Sequence, residues 1–197
     1  MEASTIHIQS ILDQVRDFAD RAHGAQMRKY TPERYIVHPV RVTEILMEYT
    51  NDVCILSAAL LHDVLEDTPV KSEEIEFFLK DFMLASEVRK TINLVEELTD
   101  VYIKSDFPHL NRRKRKELEI ARIAKTSPDS QTIKYADIID NCTEIVKYDR
   151  GFAGKFLTEC REILRKAPEG DRRLYERAVA TLDVAIKQSD KSFRMVK

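Results

Sequence analysis

Residues 53–69 read VCILSAALLHDVLEDTP, an apolar run that leads directly into a cluster of ionisable side chains. On a helix, the carboxylates of Asp63, Glu66 and Asp67 stand at positions i, i+3 and i+4 and share one face. Like charges at this spacing destabilise a helix unless a positive charge lies between them. A bound divalent cation would supply that charge, and His62 beside Asp63 offers the mixed nitrogen and oxygen donors that suit a first-row transition metal. The alternative interpretation is a solvated acidic helix end, at the pole where the helix dipole disfavours carboxylates.

The composition of the chain is typical of a helical protein with a highly charged surface. Charged residues make up 34% of the 197 residues and apolar residues 43%, with four glycines, six prolines and no tryptophan. The formal net charge of -2 gives no reason to expect a nucleic-acid polymer as partner. We find neither an apolar segment of membrane-spanning length nor a secretory signal. Because Cys54, Cys142 and Cys160 are odd in number and far apart, we interpret them as reduced core thiols of a cytoplasmic protein.

Apolar residues recur with helical spacing along most of the chain, and no segment alternates with the period of two that is typical of a strand. This pattern predicts an all-α helical bundle and one domain over residues 1–197. The central helix is predicted at roughly 53–66, and His38-Pro39 opens the helix before it, where proline is accepted. The remaining helices are predicted at about 8–23, 72–79, 86–98, 112–125, 131–147, 152–166 and 171–187, with polar loops at about 26–35 and 99–111.

Two residues outside the central stretch extend the metal hypothesis. His38 starts the helix before the central one, and Asp137 lies on the polar stripe of the helix predicted at about 131–147. Each residue by itself is typical of a capped or surface position. Taken together, His38, His62, Asp63 and Asp137 are four ligand-type side chains on three predicted helices.

The order of these residues resembles the HD-domain metal phosphohydrolases, whose pattern is a distant His, then His-Asp, then a later Asp. More narrowly, the chain resembles the hydrolase domain of the RelA/SpoT alarmone enzymes and their stand-alone small alarmone hydrolases. The matching segments are AHGAQMRK at 22–29, YIVHP at 35–39, ALLHDVLEDT at 59–68 and IKYAD at 133–137. The Glu66-Asp67 pair after His62-Asp63 separates this branch from HD phosphohydrolases in general.

The resemblance implies a single HD phosphohydrolase domain with one divalent metal ion, Mn²⁺, held between its helices. Its ligands would be His38, His62, Asp63 and Asp137, while Glu66 with Asp67 would orient and deprotonate the attacking water. The implied reaction removes the 3′-pyrophosphate of guanosine 3′,5′-bis(diphosphate) (ppGpp) or pppGpp, which yields GDP or GTP and pyrophosphate. This reaction degrades the alarmone of the stringent response. Since 197 residues leave no room for the synthetase domain of the long enzymes, we expect no alarmone synthesis.

Six further side chains are expected to contact the nucleotide. Two are in the loop predicted at about 26–35, where an arginine plane can stack on a base or pair with phosphate. Asn141 lies one turn after Asp137, and Lys134 lies in the Lys-x-Ala-Asp segment. Arg115 and Lys116 belong to a basic run and resemble an Arg-Lys pair of the family. That run, 112–116, is also interpretable as a solvated helix start. The six residues are Arg28, Lys29, Asn141, Lys134, Arg115 and Lys116.

The chain departs from the family pattern at two places near the expected nucleotide pocket. Ile138-Ile139-Asp140 stands where Arg-Leu-His is usual, and Thr31-Pro32-Glu33-Arg34 replaces a glycine-containing turn. Two alternative functions therefore stay open: an HD phosphatase acting on another phosphorylated nucleotide such as NADPH, and a non-catalytic nucleotide-sensing module. The state of assembly also stays open, and a homodimer is one of the alternatives.

Overall fold

The computed structural model describes residues 2–29 and 31–194, and the side chains within 7–29 and 31–190. Apart from one isolated antiparallel bridge between Met27 and Arg34, the described residues form helices and the loops between them. The all-α prediction is confirmed. No helix in the described part of the chain is long and apolar enough to cross a membrane.

The chain divides into two compact units, Met1–Thr99 and Asp100–Lys197. The prediction of one domain is not tested by this division and stays a prediction. The first unit contains helices α1 (Glu2–His23), α2 (Val37–Met47), α3 (Val53–Leu61), α4 (Val64–Asp67), α5 (Ser72–Leu79) and α6 (Ala85–Leu98). The second unit contains helices α7 (Arg112–Ile123), α8 (Pro128–Tyr148), α9 (Arg150–Lys166) and α10 (Arg172–Arg194).

Helix α3 is the core of the first unit. It packs against α1, α2 and α6, and every residue from Cys54 to Leu61 is buried. A helix that is apolar on all sides must be covered on all sides, which explains its central position. The C-terminal end of α3 is therefore fixed by the surrounding helices, and this end carries the ionisable cluster.

In the second unit, α8 packs against α9 and α10, and α7 packs against α9. Helix α8 starts three residues before the predicted position. Ser127 accepts a hydrogen bond from the backbone N–H of Ser130, and Pro128 occupies the first turn. Proline is accepted there because its missing N–H has no partner within the helix. Cys142 on α8 and Cys160 on α9 are buried and free, as is Cys54 on α3, which confirms the prediction of unpaired core thiols.

Candidate functional site

The predicted central helix does not continue to Glu66. Helix α3 ends at Leu61, the backbone of Asp63 lies at φ -99° and ψ -4°, and the single turn α4 begins at Val64. Asp63 is the N-cap residue of this turn, and Glu66 and Asp67 are its last two residues.

The break brings three of the predicted metal ligands together. Asp63 Oδ2 lies 3.1 Å from His62 Nε2 and 3.7 Å from His38 Nε2. The two imidazole rings are 5.2 Å apart between centroids, at an interplanar angle of 67°. His38 comes from the start of α2 and is buried, as is His62. The sequence predicted this proximity correctly within the first unit.

The hydrogen bond of His62 determines which ring nitrogen faces the carboxylate. Nδ1 of His62 lies 2.7 Å from the carbonyl oxygen of Ala59. A carbonyl oxygen only accepts, so Nδ1 carries the proton, and in the neutral ring Nε2 presents its lone pair. A lone pair and a carboxylate oxygen then face each other at 3.1 Å. A cation relieves this repulsion, and a backbone carbonyl on the second nitrogen is typical of a metal-bound histidine.

Asp63 has an additional partner that the sequence did not predict. The hydroxyl of Tyr35 donates to Asp63 Oδ2 at 2.6 Å, across 28 positions of sequence. In the sequence, Tyr35 is recognisable only as part of the YIVHP segment, and that segment does not indicate a function for it. No local pattern predicts this contact, because its two residues lie on segments that only the tertiary fold brings together.

The predicted catalytic carboxylates lie on the turn that follows. Glu66 and Asp67 are both exposed, and the side chain of Gln26 donates to Asp67 Oδ2 at 3.1 Å. The backbone N–H of Asp67 donates to the carbonyl oxygen of Asp63 at 2.9 Å, so Asp63 and Asp67 are separated by one helical turn. Both carboxylates are therefore accessible to solvent close to the buried imidazoles of His38 and His62.

Arg28 and Lys29 lie in the loop between α1 and α2, as predicted. The loop is fixed by backbone hydrogen bonds from Arg28 to Glu33 and from Tyr35 to Gln26, both 2.9 Å. The guanidinium carbon of Arg28 is 5.9 Å from the centroid of the Tyr35 ring. Arg28 is therefore close to the residue that contacts Asp63, while Lys29 is exposed.

In the second unit, Asp137 has two of the predicted substrate contacts as partners. Its Oδ2 pairs with Lys134 Nζ at 2.7 Å, and its Oδ1 accepts from Asn141 Nδ2 at 2.5 Å. Asp137 is buried, although the sequence placed it on a polar stripe. Lys134 and Asn141 thus balance and orient this buried carboxylate, an arrangement that the i, i+3, i+4 spacing allows.

Arg115 and Lys116 each contact a residue of the second unit. Arg115 Nη1 donates to the carbonyl oxygen of Leu110 at 2.5 Å, and Lys116 Nζ pairs with Asp100 at 2.6 Å. Both contacts fasten the loop before α7 to the first turns of that helix. The predicted role in binding diphosphate stays a prediction for this pair.

The profile of the HD domain matches residues 16–127, which is more than half of the chain. The chain belongs to the HD domain family. The matched region of the HD domain includes His38, His62 and Asp63 and ends ten residues before Asp137.

Relatives of this HD domain carry the name guanosine-3′,5′-bis(diphosphate) 3′-pyrophosphohydrolase MESH1. The Homo sapiens protein is 36% identical over 133 residues, which span 66% of this chain and 66% of the relative. The Xenopus tropicalis protein is 34% identical over 140 residues, 69% of this chain and 70% of the relative. A solved structure of a metazoan ortholog of SpoT that hydrolyses ppGpp matches with a TM-score of 0.73 and 25% identity. That match covers 90% of this chain and 94% of the other.

Proposed function

We propose that the chain is a metal-dependent guanosine-3′,5′-bis(diphosphate) 3′-pyrophosphohydrolase. The observation that carries this proposal is the placement of His38, His62 and Asp63, with two imidazole nitrogens beside one carboxylate oxygen. The names of the relatives supply the substrate, ppGpp, and by extension pppGpp. We also propose that residues 1–197 form one HD phosphohydrolase domain, because the family profile, residues 16–127, continues from the first compact unit into the second.

The residues present suit a divalent metal ion. We propose four ligands for it: His38, His62 and Asp63, which lie together in the first unit, and Asp137, a buried carboxylate of the second. Two nitrogen and two oxygen donors form a mixed set that Mn²⁺ accepts, so Mn²⁺ is the metal we propose. Bound there, a divalent ion polarises a phosphoryl oxygen and lowers the pKa of a coordinated water from about 15.7 towards ~7.

The protein side chains would then divide the remaining work. Glu66 is exposed and lies on the single turn α4, which follows His62 and Asp63 directly, and we assign it the role of taking a proton from the attacking water. Asp67 would orient that water. The water oxygen bonds to the phosphorus next to the 3′ oxygen, and the P–O bond to that oxygen breaks. The 3′ oxygen takes up the proton removed from the water and becomes a hydroxyl, the nucleotide keeps its 5′-diphosphate, and the pyrophosphate leaves with the water oxygen.

We propose that cationic and polar side chains hold the charged substrate. Arg28 and Lys29 would contact the nucleotide from the loop after α1. Lys134 and Asn141, next to Asp137, would contact the ribose or base, and Arg115 with Lys116 would contact the diphosphates. Support for Arg28 is its position over the Tyr35 ring, next to the candidate metal ligands.

One assay tests the proposed function. Purified protein and Mn²⁺ are incubated in three separate reactions, with ppGpp, with pppGpp and with NADPH. The products of each reaction are separated by anion-exchange chromatography. We expect GDP or GTP and pyrophosphate, with the Glu66→Gln protein as the inactive control. Orthophosphate as the first product, or turnover of NADPH alone, would instead identify an HD phosphatase of another specificity. Tight binding without any turnover would identify a nucleotide-sensing module.

A further inference from the structure

His23, the last residue of α1, connects two of the carboxylates of the site. Its Nδ1 lies 2.8 Å from Oε1 of Gln26, and Nε2 of Gln26 donates to Asp67 Oδ2 at 3.1 Å. The ring of His23 is also stacked on that of Tyr35, with centroids 4.6 Å apart and planes 28° apart. The hydroxyl of Tyr35 in turn donates to Asp63 at 2.6 Å. We call His23, Gln26 and Tyr35 the supporting triad.

The chemistry of Asp67 determines the orientation of every group along the chain of contacts that joins Asp67, Gln26 and His23. An ionised carboxylate only accepts hydrogen bonds, so the amide NH₂ of Gln26 must face Asp67. The amide oxygen of Gln26 then faces His23 and accepts, which requires the proton of the His23 ring to be on Nδ1. The three side chains therefore have one consistent arrangement of donors and acceptors.

The backbone fixes the supporting triad in place. Gly24 adopts φ 54°, a left-handed conformation that reverses the chain directly after α1 and that glycine adopts without strain. The turn is closed by a 3.0 Å hydrogen bond from Gln26 N–H to the carbonyl oxygen of His23. Tyr35 N–H then bonds to the carbonyl oxygen of Gln26 at 2.9 Å. Each side chain of the triad thus projects from backbone that is bonded to another member.

We propose that the supporting triad positions Asp63 and Asp67 for the reaction. Tyr35 holds Asp63, Gln26 holds Asp67, and His23 supports both through a ring stack and a hydrogen bond. Each member of the triad acts through another side chain, so we assign the three as positioning residues. This inference rests on the proposed function, in which Asp63 is a metal ligand and Asp67 orients water, and it predicts a different defect for each branch.

Tyr35→Phe tests the first branch of the triad, the contact between Tyr35 and Asp63. The variant keeps the ring that stacks on His23 and removes only the hydroxyl that bonds to Asp63. Loss of a group that supports a ligand typically weakens metal binding about 10–100-fold. We expect the Kd for Mn²⁺, measured by calorimetric titration of the metal-free protein, to rise within this range. The matched control is Tyr148→Phe, at an exposed tyrosine whose ring faces Lys147. An unchanged Kd in Tyr35→Phe would overturn the assignment of Tyr35.

Gln26→Ala tests the second branch of the triad, the contact between Gln26 and Asp67. We expect kcat to fall about 10–100-fold with KM and Mn²⁺ affinity unchanged, because Asp67 loses its orientation while the ligands keep theirs. The effect should vanish in an Asp67→Ala background, where no carboxylate is left to orient. Gln26→Glu, which keeps the shape and sets two carboxylates against each other, should reproduce the loss. The control is Gln9→Ala, which removes a 3.2 Å bond from glutamine to Asp13 on the exposed face of α1. An equal effect of Gln26→Ala with and without Asp67 would overturn the assignment of Gln26.

Two readouts distinguish failure of this inference from failure of the proposed function. If the wild-type protein does not hydrolyse ppGpp, the proposed function fails, while the Mn²⁺ titration of Tyr35→Phe still decides the first branch. For the second, ¹⁵N–¹H NMR of the metal-free protein should show the His23 proton on Nδ1, with a mixture of tautomers in Gln26→Ala. A His23 proton on Nε2 in the wild-type protein would overturn the arrangement of the triad.

Discussion

The two ends of helix α3 each carry an aspartate, but the two carboxylates have different surroundings. At the N-terminus, Asp52 accepts the backbone N–H of Cys54 at 2.8 Å and pairs with Lys90 at 2.8 Å. At the C-terminus, Asp63 lies beside His38 and His62 and accepts the hydroxyl of Tyr35. A carboxylate is stabilised at the positive N-terminal pole of a helix and destabilised at the negative C-terminal pole.

On this difference we interpret Asp52 as a structural aspartate and propose Asp63 as a functional one. The position of Asp52 is explained by the capping bond and ion pair that it makes in the folded chain. Asp63 makes no side-chain capping bond, and its Oδ2 instead faces the buried imidazoles of His62 and His38. A polar residue whose placement is not explained by the local structure is expected at a functional site. The following experiments test whether the two ends of α3 divide in this way.

The largest effect is expected at the C-terminal end. His62→Ala removes a proposed ligand, so metal affinity and turnover should each fall more than the ~100-fold that is typical for loss of a supporting group. Asp137→Ala should do the same. Metal content after gel filtration, measured by mass spectrometry, and ppGpp turnover check this result. Asp52→Ala, at the opposite end, is the control that should keep its metal; full metal content and full turnover in His62→Ala would remove His62 from the ligand set.

Next in size is the effect of Glu66→Gln. The amide keeps the size of the side chain but cannot take a proton, and a positioned general base contributes typically ~10²–10⁴-fold. We expect kcat to fall by such a factor while Mn²⁺ and ppGpp still bind. Steady-state kinetics together with a binding titration separate the two effects. A kcat equal to that of the wild-type protein would exclude Glu66 as the base.

A smaller effect is expected for Arg28→Ala and Lys29→Ala, which ask how far the functional region extends beyond α3. Both should raise the KM for ppGpp by about tenfold, the equivalent of ~1.4 kcal/mol of binding free energy. Both lie on a loop, so the free energy of unfolding should change by no more than about 0.5 kcal/mol. Lys80→Ala, at an exposed lysine paired with Glu76, is the matched control. A large drop in melting temperature would show that the loop residues are structural.

Much of this division could be predicted from the sequence, because it depends on local patterns. The apolar spacing predicts the helices, and the cluster at His62, Asp63, Glu66 and Asp67 predicts a site at the C-terminal end of α3. The break after Leu61 was not predicted, because the helical spacing of Asp63, Glu66 and Asp67 continues that of the helix before them.

The contacts that hold the site could not be predicted for a different reason. Tyr35 meets Asp63 across 28 positions of sequence, and Gln26 meets Asp67 across 41. Such pairs are formed by the packing of α1 and the following loop around α3, and neither periodicity nor spacing records them. The burial of Asp137 was missed because its polar neighbours Lys134 and Asn141 suggested an exposed stripe, whereas they are its hydrogen-bonding partners.

The smallest effect is expected at the structural end, for Asp52→Ala. Loss of the N-cap should lower the free energy of unfolding by about 0.5–2 kcal/mol and leave kcat unchanged. Chemical denaturation at neutral pH measures this difference, with Asp13→Ala, an exposed acid on α1 that pairs with Arg16, as the control. An equal loss of unfolding free energy in Asp52→Ala and Asp13→Ala would mean that the cap of α3 stabilises the fold no more than the ion pair of Asp13.

The pH dependence of that difference gives a second check on Asp52. Burial disfavours the charged carboxylate, but the hydrogen bond and charge of Lys90, together with the backbone N–H groups of Cys54 and Ile55, hold the pKa of Asp52 below the usual 3.8. Because the folded-state pKa is the lower one, the stabilisation is fully present above the unfolded pKa and is lost as the pH falls through the folded value. The stability gap between wild type and Asp52→Ala should therefore be constant from neutral pH down to about pH 5 and shrink below about pH 4. A gap that instead narrows between about pH 6 and 8 would show that a group other than this carboxylate stabilises the start of α3.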